Sequence, residues 1–471
     1  MKLKSMGLTN FRGFDRLDID FDENMTVIAG INGVGKSSIL DAIAKAYSHA
    51  LPEFTSSRQK SLPIIDADIQ QGKSSCSIEV ETNELLKASL ITLLLKESLK
   101  KSEQLAIEDG LVTMKKDLSS IEKGTPAYRN LNNEIVWAEK RLQGNFEKRM
   151  NWLFTDTYET DARMKQHLKT SPQQPLVVHY STKRFLSRLL PKLANTPPFK
   201  QAAAYTKSLD QVEISLSDFA KWQRALFSSR ARRKNSEHGA RILKSLNEAV
   251  TALLPEIKEF YFHESNPPHY SVMKHATIKE QVSGEKLGKK LSLGQLSDGE
   301  RGLVALVFDL TRRLAIANPD SDNPIAEGVA LVLIDEIEMH LHPRWQRDVV
   351  KRLPDIFKNT QFVITTHSPQ VIGETEAKSV RLLSLREDKV VCETPAVAYG
   401  ADSNWILNVL MGADEMNEDI ENELQAIVHL LSGRYLDQAR AKVMDLRSRF
   451  GNTMAVQKAA STIERMERIG K

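Results

Sequence analysis

A chain of 471 residues that is 41% hydrophobic is long enough to bury a large core and to hold two or three structural units. Its formal charge of +4 is too small to imply nucleic acid by composition, so any basic footprint has to be local. Two distant cysteines, Cys76 and Cys392, show no metal-ligand spacing and no apolar run approaches the roughly 18 residues of a membrane span, which predicts a cytoplasmic protein.

The first thirty residues read as strands. Leu3, Met6 and Leu8 mark one, and Leu17-Asp-Ile-Asp-Phe21 alternates as an edge strand would; neither looks like a signal peptide. Met25-Thr-Val-Ile-Ala29 suits a buried strand, and Ile39-Leu-Asp-Ala-Ile-Ala-Lys-Ala46 has helical spacing. Between them stands Gly30-Ile-Asn-Gly-Val-Gly-Lys-Ser37, the composition of a phosphate-binding loop. Strand, loop and helix N-terminus aim backbone N–H groups at one point, and the glycines let the backbone approach phosphate. Lys36 is placed to reach the β- and γ-phosphates of ATP and Ser37 to ligate Mg²⁺, with Asn32, Gly33, Gly35 and Ser38 as further nucleotide contacts.

Ser77-Ile-Glu-Val-Glu81 alternates again, just after Gln70 and Gln71. From about Asn83 to Leu168 Lys, Glu and Leu dominate. Leu111, Met114, Leu118 and Ile121 recur at helical steps, Gly124-Thr-Pro126 interrupts, and Leu131, Ile135, Ala138, Leu142, Phe146, Met150 and Leu153 resume. That pattern predicts an antiparallel helical hairpin of roughly 35–40 Å, either projecting or packed on the body. Leu176-Val-Val-His-Tyr180 predicts a return to the sheet. The segment Lys221–Lys244 is basic (Lys221, Arg224, Arg230, Arg232, Arg233, Lys234, Arg241, Lys244) with Trp222 and Phe227 interleaved and only Glu237 opposing. It is a candidate DNA contact or a solvated helix face.

Ala330-Leu-Val-Leu-Ile334 is a buried-strand run ending in Asp335 and Glu336. An Asp at such a terminus suits the outer shell of Mg²⁺, and the next carboxylate can deprotonate water. Leu291-Ser-Leu-Gly-Gln-Leu-Ser-Asp-Gly-Glu-Arg301 opens an apolar helix, where Ser297 and Gly299 would form an anion site. Glu338-Met-His-Leu-His-Pro343 follows the acidic pair, and Phe362-Val-Ile-Thr-Thr366 is a strand ending in His367, a candidate γ-phosphate sensor. Beyond Ala413 three helical stripes are expected: Leu424, Ile427, Val428 and Leu431; Tyr435, Ala439, Val443 and Leu446; Val456, Ala459, Ile463 and Met466.

Together these motifs resemble the ABC-type ATPase heads of the SMC, RecF and OLD group. Leu296-Ser-Asp-Gly-Glu300 is similar to the signature motif, departing from Leu-Ser-Gly-Gly-Gln at its third and fifth positions. Asp335-Glu336 resembles the Walker B end, Glu338 to His342 the D-loop and His367 the switch histidine; Asn10-Phe-Arg-Gly13 resembles an opening whose Arg, here Arg12, lies near nucleotide. Gln70 or Gln71 would be the Q-loop residue. The resemblance implies an α/β fold, a mixed sheet flanked by helices, in which two heads sandwich ATP and Ser297 acts on the partner's γ-phosphate. It divides the chain into head segments at 1–82 and 256–412, a helical insertion at 83–170, a return strand and basic segment at 171–255, and a helical partner-binding tail at 413–471.

After His367 no Glu…Asp-x-Asp run suggests the TOPRIM nuclease of OLD proteins. The architecture is most similar to the PtuA family of Septu-type and some retron-linked antiphage systems, which works beside a separate HNH nuclease, PtuB. The resemblance thus implies a slow regulatory ATPase using ATP and Mg²⁺, at least a head-to-head dimer, that controls such a nuclease. A RecF-like DNA-binding repair ATPase is the alternative.

Overall fold

Strands β1 (Leu3–Phe11), β2 (Phe14–Asp20), β4 (Ser75–Thr82), β5 (Lys87–Leu93) and β6 (Asn151–Phe154) form an antiparallel sheet in the order β2-β1-β4-β5-β6. The computed structural model describes residues 2–469 apart from 74, 83–86, 94–100, 122–124, 126, 129–130, 133, 136–137, 140–150, 155–168, 183, 185–198, 211–213, 229–233, 264–268, 276–287, 388, 413–417 and 453. β5 and β6 correct the expectation of helix from Asn83 onward and at Leu153. Both segments complete a sheet begun by the alternating β4, β5 pairing with β4 just before it and β6 with β5 from farther along the chain, so strand pairing overrides local composition. The helical part of the insertion holds α2 (Lys101–Ser120), whose Leu111 packs with Ile135 and Ala138; Leu142, Phe146 and Met150 lie outside the described residues.

A second sheet positions the site. It comprises β3 (Met25–Gly30), β7 (Leu176–Tyr180), β11 (Ala330–Ile334), β12 (Thr360–Thr366), β13 (Val380–Arg386) and β14 (Lys389–Glu393), in the order β14-β13-β3-β12-β11-β7. All neighbours are parallel except the antiparallel edge β14. Every residue of β3, β7, β11 and β12 is buried, which is why these strands read as near-continuous apolar runs. Gln361 ties the two sheets together: its amide oxygen accepts from Leu3 N at 2.7 Å and its NH₂ donates to Leu3 O at 2.8 Å.

Helix α1 (Lys36–Phe54) follows β3 directly. A third sheet, β10-β9-β8, joins Lys290–Ser292, His269–Lys274 and Ile257–His263. It packs on α5 (Asp298–Ala317) through Phe260 against Phe308, with ring centroids 4.8 Å apart. Helices α3 (Leu216–Ser228) and α4 (Lys234–Leu253) precede this sheet, and α6 (Pro343–Ile356) follows β11. α5 is anchored to the second sheet by a buried ionic cluster. Asp309 accepts from Arg312 (2.8 Å), Arg313 (2.6 Å) and the Tyr180 hydroxyl (3.1 Å). Burial pushes the Asp309 carboxyl up, but Arg313 and Arg312 prevail and hold it well below the usual carboxylate range.

Contacts separate Met1–Ala401 from a second unit, Asp402–Lys471. In the latter, α7 (Glu418–Ser432), α8 (Leu436–Phe450) and α9 (Met454–Ile469) share a core of Ile427, Leu431, Ala439, Val443, Leu446, Val456 and Ile463. Val428 and Tyr435, expected in the stripes, are exposed instead: the packed face of α7 runs through Leu424, Ile427 and Leu431, and Tyr435 is the cap before α8. Among the described residues no helix is long and apolar enough to cross a membrane.

Candidate active site

β3 ends at Gly30 and α1 begins at Lys36, so the glycine-rich segment is the turn between a buried central strand and a helix N-terminus. Gly35 caps that helix at φ 102°, and a Cβ there would meet the Phe14 ring at 2.5 Å; only glycine meets both demands. The loop crest, Ile31 to Gly33, is exposed, whereas Lys36 is buried. Lys36 Nζ donates to the carbonyls of Gly30 (2.8 Å) and Ile31 (2.9 Å) and sits 3.3 Å from His367 Nδ1. Burial pulls the Lys36 pKa down to about 8 against the pull of Glu338, Glu336 and Asp335.

The acidic strand end meets this loop. Ser37 Oγ donates to Asp335 Oδ1 at 2.9 Å, across 298 positions of sequence, and Thr365 Oγ1 donates to the same oxygen at 2.6 Å. Thr365 Oγ1 also accepts from Glu336 N at 2.8 Å. Glu336 has φ 46°, a left-handed conformation that costs a residue with a Cβ about 1–2 kcal/mol. His367, at the end of β12, is kept neutral by burial and then by the Lys36 charge, both of which lower its pKa. Nδ1 faces the Lys36 ammonium, an arrangement that favours the tautomer with its ring proton on Nε2.

Sequence reasoning assigned Glu338 only to the D-loop and missed Thr365 and Arg184. Glu338 accepts from Thr366 Oγ1 (2.8 Å) and from His367 N, fixing the histidine end of β12. Arg184, just beyond β7, donates to the carbonyls of Asp335 and Glu336. A polar Thr-Thr pair closing an apolar strand was the available signal for Thr365; Arg184, whose bonds among the described residues go to main chain, left none.

Arg12, at φ 50°, donates to Asp41 (2.8 Å), Asp68 (3.0 Å) and Ser38 Oγ (3.1 Å), which places it on the first turns of α1. Ser297 and Gly299 enter a different set of contacts, at the N-terminus of α5. Ser297 caps that helix: its Oγ accepts from Glu300 N (3.3 Å), and its N and Oγ donate to the Glu300 carboxylate (2.9 Å each). Lys274 on β9 pairs with Glu300, supplying the charge that a carboxylate at this buried position requires. A Cβ on Gly299 would collide with the His340 carbonyl, so signature and D-loop backbones touch within one chain. His342 is structural: its Nδ1 accepts from Arg344 N at the start of α6.

The basic segment is not one aromatic-lined face. Trp222 is buried against Phe219, while Lys221 pairs with Asp218, Arg241 with Asp322 and Lys244 with Glu248. Arg230, Arg232 and Arg233 lie outside the described residues, as do the side chains of Phe227 and Lys234.

A loop, a lysine, a serine and two carboxylates gathered in this order at parallel-strand ends are the parts of a nucleotide hydrolase. The family model of the AAA ATPase domain matches residues 1–372. The chain belongs to this ATPase family. Two relatives are similar to this chain in sequence. The retron Ec83 probable ATPase of Escherichia coli is 26% identical over 461 residues, 87% of this chain and 76% of that protein. Septu protein PtuA of Bacillus thuringiensis is 30% identical over 127 residues, 26% of this chain and 32% of its own length. The SMC head domain from Thermotoga maritima aligns over 84% of this chain and 100% of that one at 15% identity and TM-score 0.38, too distant to add to the fold described above. This AAA ATPase is thus similar in sequence to a retron ATPase and, over a quarter of its length, to a Septu protein.

Proposed function

We propose that this ATPase is the nucleotide-driven switch of an antiphage defence complex: ATP closes two copies head to head, and closure controls a separate, PtuB-like HNH nuclease. The observation that carries the reading is the meeting of Ser37 with Asp335 at 2.9 Å beside Lys36 and His367 at 3.3 Å. The retron and Septu names of its relatives support the defence setting.

In this reading the N–H groups around Asn32, Gly33 and Gly35 and the Lys36 ammonium bind the phosphates, and Ser38 and Arg12 support the first turn of α1. Ser37 and Asp335 would hold Mg²⁺; two hard oxygen donors in hydrogen-bond contact suit that ion, which would supply positive charge to the bound phosphates. Gln70, whose Oε1 is enclosed and has no protein partner among the described residues, is the Q-loop residue in preference to the exposed Gln71. Glu336 takes a proton from water as the water oxygen bonds to the γ-phosphorus and the β–γ bridge breaks towards ADP. Neutral His367 donates from Nε2 to the γ-phosphate. Ser297 and Gly299 of a second copy close the far side.

Closure is driven only by the difference in ATP affinity between open and closed heads. Purified protein is therefore expected to change its assembly mass with ATP and to change the activity of a co-expressed nuclease in parallel. Equal mass and equal nuclease activity with and without ATP would defeat the proposal. Removing residues 402–471 is expected to leave a folded, ATP-binding head that no longer co-purifies with the nuclease; retained co-purification would put the interface on the head.

Lys36 also gives the site a pH signature. In the free protein it loses its proton as pH rises through about 8, and bound phosphates favour the charged form. Binding then takes up a proton, so the ATP dissociation constant stays flat below pH 8 and weakens up to about tenfold per pH unit above it. Titrations at pH 7, 8 and 9 check this, with Lys36→Arg as a control expected to be flat.

A further inference from the structure

Arg184 has no task in the mechanism above, yet it stands at its centre. Its guanidinium is buried, and the oxygens it meets are main-chain carbonyls: Nη1 donates to Ser181 O (3.3 Å) and Asp335 O, and Nη2 to Glu336 O at 2.6 Å. Burial lowers its pKa to about 10 while the nearby Asp335, Glu338 and Glu336 charges oppose that, so it is a full cation at neutral pH. A buried cation spent on three carbonyls beside the Asp335, Glu336 and Glu338 carboxylates needs a reason.

The reason lies in the shape of the turn. Glu336 holds φ 46°, a conformation that residues with a Cβ rarely keep unless held. Its N is bound by Thr365 Oγ1 at 2.8 Å and its O by Arg184. The Asp335 carbonyl belongs to the peptide plane before Glu336, and the Glu336 carbonyl to the plane after it. One rigid planar fork that grips both fixes the two planes, and with them the direction of the Glu336 Cα–Cβ bond. A lysine has one nitrogen and cannot fix two planes in this way.

We propose that Arg184 is a positioning residue for hydrolysis, whose fork locks the Walker B turn so that the Glu336 carboxylate faces the attacking water. This rests on the reading of Glu336 as general base. Because Arg184 acts on the turn and not on the phosphate loop, its loss is read in kcat and not in ATP affinity.

The test is a cycle of Arg184→Gln and Glu336→Gln in the full-length protein, with ATP binding and single-turnover hydrolysis measured for each. Arg184→Gln is expected to lower the rate about 10- to 100-fold, the scale of an ångström-level misplacement, with ATP affinity within about twofold of wild type. In the Glu336→Gln background the same change is expected to cost less than about twofold, since no base is left to misplace. An unchanged rate for Arg184→Gln, or an equal loss in both backgrounds, overturns the proposal, whatever happens to the melting temperature. If Arg184→Gln does not fold, Arg184→Lys runs the same cycle, with a smaller loss expected and the same two overturning results. Wild-type turnover by Glu336→Gln alone would instead sink the general-base reading, so the two failures are distinguishable.

Discussion

Replacing Glu336 with Gln is expected to slow ATP turnover by roughly 100- to 10,000-fold, the usual range for loss of a general base, while ATP still binds. The change is nearly isosteric, and the backbone of the turn is held by Thr365 and Arg184 and not by the carboxylate, so the site should keep its shape. What disappears is the acceptor for the water proton. Nucleotide enters, the heads close, and the exit step is missing, so an ATP-bound dimer should accumulate. Phosphate release, equilibrium nucleotide binding and solution mass together check this; undiminished turnover would remove Glu336 from the role.

Lys36→Ala is expected to weaken ATP binding by on the order of 100-fold or more, from the loss of charge-assisted hydrogen bonds worth about 1.5–3 kcal/mol each to two phosphates. Folding should tolerate the change, because the ammonium is a burial penalty in the free protein, as its lowered pKa shows. The carbonyls of Gly30 and Ile31 lose their donor, but the adjacent loop crest is open to water. Calorimetric titration with ATP decides the matter: retained affinity would contradict the assignment of the loop.

The strands that carry this site were legible because they are buried on both faces. β3, β11 and β12 read as apolar runs, and each ends in residues whose chemistry is unusual for a core: glycines, two acids, a histidine. β5 was not legible. Lys87-Ala-Ser-Leu-Ile-Thr-Leu93 sits in a Lys- and Leu-rich stretch that suits a helix, and pairing with β4 on one side and β6 on the other makes it a strand. Trp222 misled for a related reason. Its neighbours in sequence are cations, but on α3 it points the other way, into the core. Arg184 stayed hidden because its partners are carbonyls, two of them 151 and 152 positions away, and carbonyls have no sequence signature.

β3 lies between β12 and β13, so the two neighbours that hold the glycine turn in place are translated last among the strands of their sheet, apart from the edge β14. At 5–20 residues per second the ribosome needs roughly 20–70 s to reach β13 after β3 has emerged. Throughout that interval the nascent chain carries an apolar strand without neighbours, and the pocket cannot assemble. A protein that stays inert towards ATP until its carboxy-terminal half is made follows from this order of strands.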